Sequence, residues 1–294
     1  MQLSPVFSKW FARLLSLAGR RRNTSKAAEN PFTTILTLPD GRKLTTEELR
    51  GLSGSMRFRE GKLLDVIGKV QYEVIGKRTV PQAAESLHQQ AREAGAHGDY
   101  KKAVALLERA CELAPEWPYP IYDRAYTHLL MNDCDAARTY YQRTLELSPR
   151  GFFMAITAVD TLTREQNGDL PIGTYLAYLS LEWIGDADID IKDAAVREMV
   201  KALPQFAPAW KNFASLCDDD GERLAAIEKG LAAHPDAETK GMLEIKKALV
   251  FNLKGDHAAA VQLLGELALD PDSTFGTEHS AKAALSVLLM KSSS

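Results

Sequence analysis

Between Ala84 and Gly151 the chain writes one pattern twice, 34 residues apart. Gly98-Asp99-Tyr100 leads into Lys101-Lys102-Ala103, Leu107, Ala110, Leu113 and Pro115; one period later Asn132-Asp133-Cys134 leads into Ala137, Tyr141, Thr144, Leu147 and Pro149. Each copy has a turn in mid-unit, apolar residues at helical spacing on both sides of it, and a Pro at its end. A single helical hairpin cannot bury its apolar face and must lean on a neighbour, so the period predicts a stacked array of helix pairs.

These residues resemble the tetratricopeptide repeat family at the places that define it: small Ala103 and Ala137 where helices touch, large Leu107 and Tyr141 filling the gap, and Pro115 and Pro149 closing each unit. The resemblance implies a mostly α-helical solenoid of antiparallel helix pairs. It also implies a protein or peptide partner along the concave face lined by the first helix of each pair, and no chemistry.

At 294 residues, 45% hydrophobic and 26% charged, the chain is in the ordinary globular range. The net charge of −3 conceals an asymmetry, because residues 1–80 hold 15 Lys+Arg against 7 Asp+Glu while residues 81–294 hold 21 against 32. The amino-terminal part is therefore +8 and the array −11. An array of that sign repels phosphate, which argues against a nucleic-acid partner. Cys111, Cys134 and Cys217 are few, widely spaced and set in apolar helical patterns, which fits a reducing, cytoplasmic setting better than a disulfide frame.

Three segments are expected. Residues 1–30 form a basic leader and linker: Leu3, Val6, Phe7, Trp10, Phe11, Leu14 and Leu15 make an apolar helical stripe, and Arg20, Arg21 and Arg22 follow. With no acidic residue before Glu29, this leader reads as a helix docking on the array or a partner, a helix on an anionic membrane surface through residues 1–22, or an import presequence. Residues 31–80 read as a small β-containing module. Its strands are expected around Phe32–Leu38, Lys43–Thr45, Met56–Phe58, Leu63–Ile67 and Val70–Ile75, with a short helix over Thr46–Leu52 opened by Thr45 and Glu48.

Residues 81–294 read as the array, with about twelve helices in six hairpins. The first helix opens at Thr79 or Pro81, and its partner runs from Tyr100 to Leu113. The second pair begins with the helix of Ile121, Ala125 and Leu129, and the third opens at Phe152. After Leu162 the register weakens. Helices are expected over Leu170–Ile184, Ala194–Leu203, Ala209–Cys217, Arg223–Ala233, Glu238–Leu253 and His257–Leu267, and an acidic loop over Gly185–Asp190. Glu278–Met290 suits a terminal cap.

Motifs for catalysis are missing. The chain has no GxxxxGK[ST], GxGxxG, HExxH or GxSxG, and its six His stand singly. Asp186, Asp188 and Asp190 alternate as in a calcium loop, but Ile191 stands where that loop needs Gly and Arg197 where it needs a bidentate Glu. The sequence points to no enzyme, no cofactor and no metal.

What remains is the surface. Tyr119, Tyr122 and Tyr126 fall on one helical face of the second unit, with Asp123 among them, Phe153 and Ile156 beside them on the third unit and His88 and Arg92 on the first. Rigid rings with polar tips are favoured at protein contacts. The stripe is expected to form an open concave binding face, so that truncating Tyr122 or Tyr126 releases a partner and leaves the fold intact. The Lys and Asn with which family members grip a terminal carboxylate are not reproduced at His88, Arg92, Asp123 and Thr157. The sequence thus reads as a non-catalytic adaptor, with a peripheral membrane protein anchored by its leader as the alternative.

Overall fold

The computed structural model describes residues 80–182, 184 and 189–291, together with two short strands. Twelve helices run through the described residues. They are α1 (Gln82–Ala96), α2 (Tyr100–Leu113), α3 (Pro118–Leu130), α4 (Cys134–Leu147), α5 (Ala155–Asn167), α6 (Thr174–Glu182), α7 (Ile189–Ala202), α8 (Ala207–Leu216), α9 (Asp220–Ala232), α10 (Ala237–Leu253), α11 (His257–Leu269) and α12 (Phe275–Lys291). The strands β1 (Met56–Arg59) and β2 (Lys62–Asp65) pair antiparallel, with Phe58 opposite Leu63. The rest of the amino-terminal segment, including the expected strands at 32–38, 43–45 and 70–75, the short helix at 46–52 and the whole leader, lies outside the described residues.

The turn inside each repeat is one local structure used three times. Gly98, Asn132 and Gly255 take left-handed φ values of 81, 62 and 88°, and the Asp after each caps the next helix. Asp99, Asp133 and Asp256 accept from the backbone N–H of Lys102, Ala136 and Ala259. The N–H of each Asp in turn bonds the carbonyl five residues back, at Ala94, His128 and Phe251. Gly or Asn followed by Asp is what this geometry demands. The first residue must tolerate positive φ and the second must offer a short acceptor to an orphan N–H.

The chain divides into two compact units, one of residues 72–176 and one of residues 177–294 with residues 1–71. In the first, α1 pairs with α2 and α3 with α4, and α2 and α4 are followed by α3 and α5 along the stack. Ala103, Ala137, Leu107 and Tyr141 are all buried. Small side chains let the helices close up and a large one fills the space beyond.

In the second unit α8 pairs with α9 and α10 with α11, while α7 packs on α8 and α12 packs across α10 and α11. In this unit α7 and α12 thus flank two pairs. Strand β2 runs beside α8. Met242, Ile245, Ala260, Leu264, Ala281, Ala284 and Leu288 form one apolar core shared by α10, α11 and α12.

Several boundaries differ from expectation. Helix α7 begins at Ile189 rather than Ala194, so Asp190 lies in its first turn. Helix α9 begins at Asp220 rather than Arg223 and is capped by Asp219. Helix α5 starts at Ala155, which leaves Phe152 and Phe153 in the turn before it.

The repeat pattern fades beyond Leu162, and there Glu165 makes a contact of its own. Its carboxylate, 5% exposed, accepts from the backbone N–H of Gly173 at 2.8 Å and of Tyr175 at 2.7 Å, holding the start of α6 from a side chain of α5. Burial pushes the carboxyl above its ordinary value, and the Tyr175 and Gly173 bonds pull it partly back. A raised folded value means that the contribution to stability is complete below the unfolded value and is lost as pH rises through the folded one. Replacing Glu165 with Gln should therefore flatten the pH dependence of urea denaturation in the weakly acidic range. An unchanged slope would show that Glu165 does not titrate in the buried setting.

Candidate functional site

The aromatic face lies in the unit of residues 72–176. Helix α1 presents His88 and Arg92 one turn apart, which puts both on the same side of the helix. Helix α3 presents Tyr119, Tyr122, Asp123 and Tyr126. The two helices meet at Asp123, whose Oδ2 lies 2.7 Å from His88 Nε2 and 3.8 Å from Arg92 Nε. The shorter contact requires His88 Nε2 to carry the proton.

Only 12% of the Arg92 side chain and 14% of the Asp123 side chain are exposed. Burial lowers the Arg92 pKa from its usual value, while Asp123 and Tyr119 act to raise it. A half-buried carboxylate between a guanidinium and an imidazole is a locked polar cluster that fixes α3 on α1.

Around this cluster the rings form a chain. The His88 ring meets Trp117 edge-on at 5.0 Å, and Tyr119 meets Phe152 at 4.8 Å and Phe153 at 5.8 Å. Tyr122 contacts Tyr141 at 5.3 Å, Phe152 at 5.5 Å and Phe153 at 5.2 Å. Tyr141 reaches Tyr175 at 6.1 Å. All but the tilted Tyr122–Phe153 pair are edge-to-face contacts, which the ring quadrupole favours and which lock the rings relative to one another. Burial and the neighbouring rings of Tyr122 and Tyr126 hold the Tyr141 phenol well above its ordinary pKa, so it stays neutral.

The structure corrects the expected open face at Tyr122 and His88. Tyr122 is 6% exposed and is a core ring, not an open anchor, because the turn at Phe152 and Phe153 closes over it. His88, at 8%, is nearly as buried. Tyr119, Tyr126, Phe153 and Ile156 are half-buried, and these with Arg92 and Asp123 keep access to the surface.

Phe153 also differs from its helical assignment. It sits in the turn with φ of 47°, a left-handed conformation that bulky residues rarely take. Such strain persists only where the surroundings over-determine it, here the packing of Phe152, Tyr119 and Tyr122. Trp117, Phe152, Tyr141 and Tyr175 join the cluster without having been singled out for it. Tyr141 was expected to fill the gap between helices, but nothing in the sequence spacing ties four separate segments into one ring network. The leader residues Val6, Phe7, Trp10, Phe11, Arg20, Arg21 and Arg22 lie outside the described residues.

Among the described residues no group of three or more His, Cys, Asp or Glu side chains could hold a metal ion. Nor is any described helix long and apolar enough to cross a membrane. Burial raises all three cysteine thiols, to about 11 for Cys111 and Cys134 and about 12 for Cys217, which keeps them as thiols at neutral pH.

Residues 84–116 match the family model described as Tetratricopeptide repeat. No curated protein matches the chain. Solved structures similar to it include the yeast Sti1 structure titled "TPR2AB-domain:pHSP90-complex", at 17% identity over 71% of this chain and 86% of that one, with a TM-score of 0.33. A thermophilic TPR protein of Thermus thermophilus is 15% identical over 71% of this chain and 100% of its own, with a TM-score of 0.29. PilW, a type IV pilus biogenesis factor, is 17% identical over 68% and 98%, with a TM-score of 0.31. The matched repeat at residues 84–116, the turn used three times and the stacked helix pairs make the described helices a helical repeat array that contains a tetratricopeptide repeat.

Proposed function

We propose that the protein is a non-catalytic adaptor of the cytoplasm, which binds a protein or peptide segment along the face that α1 and α3 share. The observation that supports this is the combination at one place of a fixed Arg92–Asp123–His88 cluster with half-buried rings at Tyr119, Tyr126 and Phe153. Pre-ordered rings lose little entropy on binding, and a fixed charged pair offers a partner's backbone or side chains both a donor and an acceptor. A membrane contact through residues 1–22 is the second reading, carried by the apolar stripe of the leader beside Arg20, Arg21 and Arg22.

Affinity capture from a lysate with the full chain, followed by titration of the recovered partner, tests the adaptor reading. Tyr126→Ala is expected to weaken binding by roughly thirtyfold, the effect of losing an anchor ring worth about 2 kcal/mol, with an unchanged helical circular dichroism spectrum. Unaltered affinity in Tyr126→Ala and in Tyr119→Ala would remove this face from the binding reaction.

A further inference from the structure

A second recess lies in the unit of residues 177–294, away from the face of α1 and α3. Helices α7 and α9 both pack on α8 and leave between them a cleft of about 370 Å³. Its floor is the Trp210 and Phe213 rings, each 8% exposed, in T-shaped contact at 6.0 Å. Val200 completes the apolar wall.

Three cations stand at its rim. The Arg197 guanidinium lies 4.7 Å above the Phe213 ring and Lys229 Nζ lies 5.0 Å above the Trp210 ring. Lys201 lies on the α7 side. Arg197 is more than balanced by two carboxylates, since its Nε donates to Asp193 at 2.9 Å and its Nη1 to Glu222 at 3.2 Å. Lys201 and Lys229 form no ion pair with any described residue. In a helical region whose net charge is −11, Arg197, Lys201 and Lys229 against Asp193 and Glu222 leave one positive charge in excess beside an aromatic floor.

We propose that this cleft is a docking site for a short acidic peptide segment of a protein partner. A large aliphatic or aromatic side chain of the segment enters against Val200 and the Trp210 ring, and carboxylates on either side of it meet Lys201 and Lys229. The apolar floor supplies contact area, and the cations over the rings supply the sign that selects acidic over basic segments.

The test is selection of a random dodecapeptide phage library on the full chain, with counter-selection on the Lys201→Glu/Lys229→Glu double variant. Fluorescein-labelled winners are then measured by anisotropy. Both lysines are exposed, so the double variant should melt like the parent. The expected winners carry two or more carboxylates around a large apolar residue, lose roughly tenfold or more in affinity for the double variant, and weaken as salt rises. Ala225→Trp, which fills the cleft from an exposed position on α9, should abolish binding without relying on charge. Tyr126→Ala should leave it unchanged, which separates this site from the adaptor face. Failure to enrich acidic sequences, or winners that bind the double variant and Ala225→Trp as tightly as the parent, would overturn the proposal.

Discussion

Replacing Tyr122 with Ala is expected to destabilise the unit of residues 72–176 by about 4 kcal/mol, the cost typical of truncating a buried aromatic ring to Ala. The ring is 6% exposed and lies within 5.5 Å, centroid to centroid, of Tyr141, Phe152 and Phe153. Its loss would open a cavity lined by three other rings. Part of that lining is a turn already held at an unfavourable φ at Phe153, so collapse to fill the space is restricted. Tyr122→Phe keeps the volume and removes only the hydroxyl, and should cost about 1 kcal/mol. Urea denaturation of the two variants measures the difference. Equal stability of Tyr122→Ala and the parent would place the ring on an open face after all.

A second large effect is expected at Gly241 on α10. A Cβ built there would meet Thr277 of α12 at 2.0 Å from Oγ1, 2.5 Å from Cγ2 and 2.8 Å from Cβ, which is closer than side-chain atoms can approach. Thr277 has little room to yield: it is buried, its Oγ1 accepts from Thr274 Oγ1 at 2.9 Å, and its N–H bonds the same hydroxyl at 3.1 Å. In an open helix Gly→Ala would stabilise by about 1 kcal/mol through helix propensity. Overpacking at the α10–α12 contact should outweigh that and leave Gly241→Ala less stable by about 2 kcal/mol. The sign is decisive, since a rise in melting temperature would mean that α12 does not sit against α10 at this point.

Much of the array could be read from residues alone because its determinants are local. Asp99, Asp133 and Asp256 each follow a residue suited to positive φ, so helix starts at Tyr100, Cys134 and His257 are written in two adjacent positions. Ala103 and Leu107, like Ala137 and Tyr141, carry the 3.6-residue period that fixes the buried face. The resemblance added what the period could not, the expectation that the first helix of each pair lines a face for a partner.

The rest depends on contacts between distant residues. Glu165 reads as one more polar residue near a helix end, and only the fold shows it bonding Gly173 and Tyr175 N–H. Gly241 announces small size but not Thr277. The helices that pair as α8 with α9 and α10 with α11 were expected, as was a capping helix over Glu278–Met290, while the packing of α7 on α8 depends on contacts that the spacing does not show. At the candidate site the helical spacing grouped Tyr119, Asp123 and Tyr126 on one helix, α3, and His88 with Arg92 on α1. It could not separate Tyr122 from its neighbours, because whether a ring on that stripe is open or buried is decided by Phe152 and Phe153, thirty residues on.

The central claim, that a partner is held on the face shared by α1 and α3, is tested most directly by hydrogen–deuterium exchange of the full chain with and without a partner recovered by affinity capture. Added protection is expected in amides of residues 82–96 and 118–130 and in the turn at 151–154, where exchange requires local opening that a bound segment would suppress. Protection absent from those segments and confined to other helices would contradict it.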